Sequence, residues 1–190
     1  MDYYYAPELE IAQWLNTDAP VTLQGLRGKV VVVHAFQMLC PGCVAYGLPQ
    51  AAAMHALFDP RDVAVLGLHS VFEHHAVMTP QALKAFVHEY RLGFPIGIDM
   101  PGTEGSIPRT MQAYGLRGTP SLLLIDRMGR LRVNHFGRID DMRVGALVAQ
   151  LVAEPGAEAW PAESSASAAV AAGGARSAGV VCDADACRVS

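Results

Sequence analysis

The run Val30-Val31-Val32-Val33-His34-Ala35-Phe36, followed at once by Cys40-Pro41-Gly42-Cys43, constrains this chain more than any other stretch. The run is β-branched and apolar nearly throughout. That reads as a strand covered on both faces, the kind found inside parallel sheets. Immediately after the cysteines, Val44, Leu48, Ala51, Met54 and Phe58 recur at helical spacing, with Pro49 predicted to kink the helix. Cys40 therefore falls where a strand hands over to a helix. Backbone N–H groups there lack intrahelical partners and the helix dipole is positive, so a thiolate is favoured. The spacing makes Cys40 the attacking thiolate and lets Cys43, one turn on, close on it as a disulfide.

The rest of the chain supplies a scaffold for that junction. Val63 to Leu68 reads as a second buried strand, and Phe94 to Asp99 as a brief one. Thr79-Pro80 is an N-cap and N1 pair for a helix whose inward stripe is Leu83, Phe86, Val87 and Tyr90, ended by Gly93. Ser106 is expected to cap a short helix from Ile107 to Tyr114. Ser121 to Asp126 and Arg130 to Gly137 are strands joined so closely that they must form an antiparallel hairpin. Asp140-Asp141 open a last helix with the stripe Val144, Leu147, Val148 and Leu151. Strands alternating with helices and ending in a hairpin plus helix predict an α/β domain with a central mixed sheet flanked by helices.

At 190 residues the chain suits one domain over residues 1–153 and a tail over 154–190. The hydrophobic fraction of 52% is raised by alanines of the tail, and no run approaches the length of a spanning helix, so no membrane partner is expected. A net charge of −4 without any basic run gives no footprint for nucleic acid. The start, Met1 to Glu8, lacks a basic region and an apolar core, which points away from a signal peptide and, for a complete chain, toward a reducing cytoplasm. There a CxxC is redox-active or metal-binding more often than structural.

At Leu26-Arg27-Gly28-Lys29-Val30-Val31-Val32, Cys40-Pro41-Gly42-Cys43 and Gly118-Thr119-Pro120-Ser121, the chain resembles the thioredoxin superfamily. The branch is that of the TlpA-like redoxins, AhpC/TSA-related thiol-disulfide oxidoreductases, and the resemblance covers roughly Ala6 to Val152. It implies a thioredoxin-like fold, a cis Pro120 facing the cysteines, and Thr119 offering backbone groups to an extended substrate. The expected partners are a disulfide-containing protein or small thiol and a reductase or thiol donor, with no cofactor. Two positions depart from the pattern. Leu39 stands where the family has tryptophan. His34, six residues before Cys40, stands where thioredoxins carry a buried acid that helps deprotonate the second cysteine. A neutral imidazole can take that proton; the alternative is a hydrogen-bonded core histidine.

Other readings stay open beside this one. Cys40 and Cys43 could be half of a zinc site, the remaining ligands coming from the tail. Thiol peroxidase chemistry at Cys40 is a rival, although Val33 and Gln37 occupy the positions where peroxiredoxins have proline and a hydroxyl residue. His69, Glu73, His74 and His75 form a cluster able to hold a metal, or simply a solvated loop bordering the groove. From Ala157 to Val181 an Ala/Gly/Ser-rich stretch reads as a flexible linker. It leads to Cys182 and Cys187, a second pair with a tether reach of roughly 30 Å and an effective concentration on the order of millimolar. These two cysteines are expected either to relay electrons with Cys40 and Cys43 or to be a bystander or soft-metal pair.

Overall fold

The computed structural model describes residues 4–103, 105–154, 180–182 and 187–189. Its centre is β2 (Val30–Phe36), buried at every position. On one side β2 pairs in parallel with β3 (Val63–His69), from Val30 opposite Val63 to Phe36 opposite His69. On the other it pairs antiparallel with β6 (Ser121–Ile125), which is equally buried. Beyond β3 lie β4 (Ile96–Asp99), parallel to it, and β1 (Ile11–Leu15), antiparallel to β4. Beyond β6 lies its hairpin partner β7 (Leu131–Phe136). The order β1-β4-β3-β2-β6-β7 is thus a mixed sheet, with the apolar run of the sequence at its middle. This is a thioredoxin-like fold.

The helices follow the sequence stripes, with three informative differences. Cys43–Gly47 forms one π-helical turn before α1 (Leu48–Leu57), so the irregularity lies ahead of Pro49 rather than at it. Proline offers no N–H to the preceding turn, and a wider turn takes up the slack while Pro49 sits harmlessly at the start of α1. In α2 (Pro80–Glu89) the Thr79 hydroxyl accepts from the Ala82 N–H as expected, and Leu83 and Val87 are buried. Tyr90 is not inward: it is 52% exposed, stacked on Phe86 at 4.3 Å, because the helix stops one residue earlier and the chain turns at Arg91.

The third difference concerns α3 (Arg109–Ala113), which Ser106 does not cap. Pro108 holds the cap position, and the Asp99 carboxylate at the end of β4 accepts from the Thr110 and Met111 N–H groups at 2.8 and 3.0 Å and from Ser70 Oγ at 2.8 Å. The cap comes from a distant strand, where local patterning cannot point to it. Thr110 then reaches β1's approach through Glu10, whose N–H it accepts at 2.9 Å. In α4 (Asp141–Ala153), Asp140 caps the Met142 and Arg143 N–H groups, and Val144, Val148 and Leu151 are buried. Among the described residues no helix is long and apolar enough to cross a membrane.

Most of the expected linker and residues 183–186 lie outside the described residues. The tail cysteines, however, fall in strands. β5 (Gly118–Thr119), directly before Pro120, pairs antiparallel with β9 (Cys187–Val189), and β9 pairs with β8 (Val180–Cys182). A small second sheet, β5-β9-β8, is thereby attached to the domain next to the CxxC helix.

Burial of two histidines ties stability to pH. His34 and His69 are 3% and 1% exposed. Desolvation lowers each from 6.5 to about 4, for His34 against the opposing pull of Asp141. The unfolded chain therefore binds more protons between those values, and stability falls as pH drops from 6.5 toward 4. Urea unfolding across this range is expected to lose about 3 kcal/mol per histidine. Replacing both by glutamine should flatten that slope, and an unchanged slope would show that the rings ionise in place.

Candidate active site

β2 ends at Phe36, and the helix that begins at Pro41 starts over its carboxyl end, which places Cys40 at the junction the sequence predicts. Cys40 and Cys43 are free thiols, both buried. The Cys40 sulfur collects donors. The Cys43 N–H reaches it at 3.4 Å, the Cys43 thiol donates to it, and so does the backbone N–H of Cys187 from the tail. As a thiol, Cys40 itself donates to the Thr119 carbonyl at 3.4 Å. Chiefly through the Cys43 thiol, and against the cost of burial, Cys40 is lowered from 9.0 to about 6. Burial, together with its role as donor to Cys40, pushes Cys43 well above the usual thiol range. The pair is therefore split: one sulfur ionised near neutrality, the other a protonated reserve.

The loop facing the cysteines is built around Thr119–Pro120, whose peptide bond is cis. Ser121 Oγ donates to the Gly118 carbonyl at 2.8 Å, and Gly137 N–H donates to the Pro120 carbonyl at 2.8 Å, pinning the loop from both sides. Gly47 lets the helix close on it. A Cβ there would lie 3.3 Å from the Pro120 side chain and 3.7 Å from His34 Nδ1.

His34 sits on β2 behind this contact, opposite Leu122 in the ladder. It is not the hydrogen-bonded core histidine: neither ring nitrogen has a hydrogen-bond partner among the described residues. A small cavity of about 10 Å³, the size of a single water, is lined by His34, Tyr46, Gln50, Pro120 and Arg138 among others. Gln50 Nε2, donating to Asp141 Oδ1 at 2.6 Å and to the Ile139 carbonyl at 3.0 Å, ties this cavity wall to α4. The imidazole is neutral at physiological pH, because burial lowers it to about 4.

The histidine cluster is not assembled. His69 is buried on β3 with its ring 5.2 Å from Phe36, while His74 stands exposed on a left-handed turn and Glu73 accepts from Gln37 Nε2 at 3.1 Å. No group of three or more metal-ligating side chains occurs among the described residues. Leu39, in the tryptophan position, is 57% exposed at the rim of the site. Gly118 was not visible to sequence reasoning as a functional position. A Cβ there would lie 1.9 Å from the Cys187 carbonyl oxygen, so its bare α-carbon is what lets β9 approach.

Comparison with known proteins agrees with this geometry. Residues 5–134 match the AhpC/TSA family. The chain is 30% identical over 156 residues to the protein DipZ of Mycobacterium tuberculosis (strain CDC 1551 / Oshkosh), covering 80% of this chain but 21% of that protein. It is 26% identical over 124 residues to the thiol-disulfide oxidoreductase ResA of Halalkalibacterium halodurans, covering 65% and 63%. The chain thus spans about a fifth of the first relative's length and under two thirds of the second's. Among solved structures, a thiol-disulfide isomerase from Corynebacterium glutamicum is 51% identical with a TM-score of 0.76, over 79% of this chain and 98% of that one. A thioredoxin-like superfamily protein is 58% identical with a TM-score of 0.78, over 80% and 98%. With its split cysteine pair set against a cis-proline loop, the chain belongs to the AhpC/TSA family, in the TlpA-like redoxin branch of the thioredoxin superfamily.

Proposed function

We propose that the protein reduces disulfides presented as an extended strand along Gly118 and Thr119, with Cys40 as nucleophile and Cys43 as resolving cysteine. The observation that carries this reading is the opposite displacement of the two thiols, Cys40 to about 6 and Cys43 upward. The Cys40 thiolate attacks one sulfur of the substrate disulfide. A mixed disulfide forms, and the other substrate sulfur leaves as a thiolate. Cys43 then loses its proton to His34 and attacks Cys40 Sγ. The bond to the substrate breaks, the second substrate thiolate departs, and Cys40 and Cys43 are left as a disulfide that a thiol donor or reductase reopens.

Thr119 and Pro120 act as the docking edge. That an extended segment fits there is supported by β9, which pairs with β5. Peroxide chemistry is not favoured at these positions: Val33 is inside the sheet, and the Gln37 side chain is engaged with Phe72 N–H and Glu73.

Dithiothreitol-driven reduction of insulin is the first test. Wild type should show a clear rate, Cys40→Ser none, and Cys43→Ser should accumulate a mixed disulfide; a residual rate in Cys40→Ser would overturn the assignment. The alkylation rate of Cys40 in the reduced protein is expected to rise with pH to a plateau with its midpoint near 6, because only the thiolate reacts. Cys43→Ala removes the thiol donor, and the midpoint should move up. His34→Leu is predicted to slow release of the mixed disulfide by on the order of a hundredfold at neutral pH, leaving the Cys40 midpoint in place. Equal slowing of both steps would assign His34 to packing alone.

A further inference from the structure

The tail hairpin lies along β5, the edge where the proposed extended substrate would pair. In β9, Cys187 stands opposite Thr119 and Arg188 opposite Gly118. Cys187 is 1% exposed, and its backbone N–H bonds to the Cys40 sulfur, itself 1% exposed. The receiving surface is shaped for this strand. The Gly118 φ is not in the left-handed region, so the backbone conformation does not ask for glycine. The approach does, because an added Cβ would come within 2.5 Å of the Arg188 α-carbon as well as striking the Cys187 carbonyl. Arg188 lies with its guanidinium carbon 5.8 Å from the Phe136 ring centroid, on a ring that Arg117 also approaches at 5.4 Å.

The oxidation states complete the picture. Cys40 and Cys43 are free thiols, whereas Cys187 is disulfide-bonded, and the residue across the ladder from it is Cys182. The chain has four cysteines. A reduced active-site dithiol thus faces a disulfide-bonded Cys187 on a strand paired with Thr119.

We propose that Cys187 is bonded to Cys182 across the ladder, that this disulfide is an internal substrate of Cys40, and that the tail pair is a relay carrying electrons out of the buried site. This rests on the reading of Cys40 as nucleophile. The Cys40 thiolate attacks Cys187 Sγ; a Cys40–Cys187 bond forms, the Cys182–Cys187 bond breaks, and Cys182 leaves as a thiolate. Cys43 gives up its proton to the Cys182 thiolate and attacks Cys40 Sγ, and Cys187 leaves as a thiolate that solvent protonates. Two electrons have moved from Cys40 and Cys43, now a disulfide, to Cys182 and Cys187, now a dithiol. The reduced tail pair then meets the external disulfide, and a thiol donor reopens Cys40–Cys43.

The test uses the full chain with Cys43→Ser and Cys182→Ser, which leaves one thiol at each site, treated with oxidised glutathione and mapped by non-reducing peptide mass spectrometry. Glutathione caps Cys40, and Cys187 displaces it. The expected product is a monomeric Cys40–Cys187 disulfide formed at a rate independent of protein concentration, with no lasting glutathione adduct on Cys40. Adding Gly118→Ala should slow the cross-link at least tenfold and let the adduct persist; an unchanged rate would overturn the docked geometry. A lasting adduct on Cys40 without any cross-link would overturn the relay while leaving Cys40 as nucleophile. A cross-link found only in dimers would overturn it as an intramolecular step, and a Cys40 that never reacts would bring down both readings. Should the serine variant not fold, Cys43→Ala with Cys182→Ser repeats the measurement.

Discussion

The convergence of donors on one sulfur is the interaction on which the site depends. A buried thiolate is costly unless hydrogen bonds replace water. Here the Cys43 N–H and thiol and the Cys187 N–H do so, the first two delivered by one residue of the helix and the third by an added strand. The rest of the fold serves to hold those devices in register. β2, flanked by partners on both sides, gives the helix a rigid base; Gly47 lets that helix close on Pro120; and Ser121 and Gly137 pin the loop opposite. In the proposed reaction Cys43 serves twice, first as donor to its partner and then as its successor.

The docked tail changes how such a site is to be pictured. An open groove would expose Cys40 to any disulfide that diffused in. With β9 in place, Cys40 is covered, and what it touches is decided by chain connectivity rather than by diffusion. Backbone pairing provides the affinity and a bare α-carbon at Gly118 provides the fit, the division of labour seen wherever a strand is added to a sheet edge. The cost is that an outside partner must displace the hairpin or be served by it.

Much of this was legible before any coordinates. The apolar run of β2, the thiol pair after it, the Thr79 cap and the Asp140 cap all rest on near-neighbour chemistry, and each lies where that chemistry puts it. What escaped was long-range. The carboxylate that caps α3 lies 11 residues upstream of Thr110 on another element. The role of Gly118 depends on a strand some seventy positions later in the chain, and a glycine outside the left-handed region carries no local mark of its purpose. Tyr90 had the right period for an inward face but sat where the helix had already ended. The tail cysteines were visible as a pair, while their seat beside Pro120 follows from backbone pairing that composition does not encode.

Asp99 carries a wider implication. Its two oxygens join Ser70 after β3 to the start of α3, and Thr110 of that helix exchanges hydrogen bonds with the Glu10 backbone ahead of β1. Edge strand, cross-strand loop and short helix share one buried carboxylate. Elements tied through one shared group tend to open together, so the half of the sheet remote from the thiols is expected to loosen as one unit, apart from the β2–β6 core that carries Cys40.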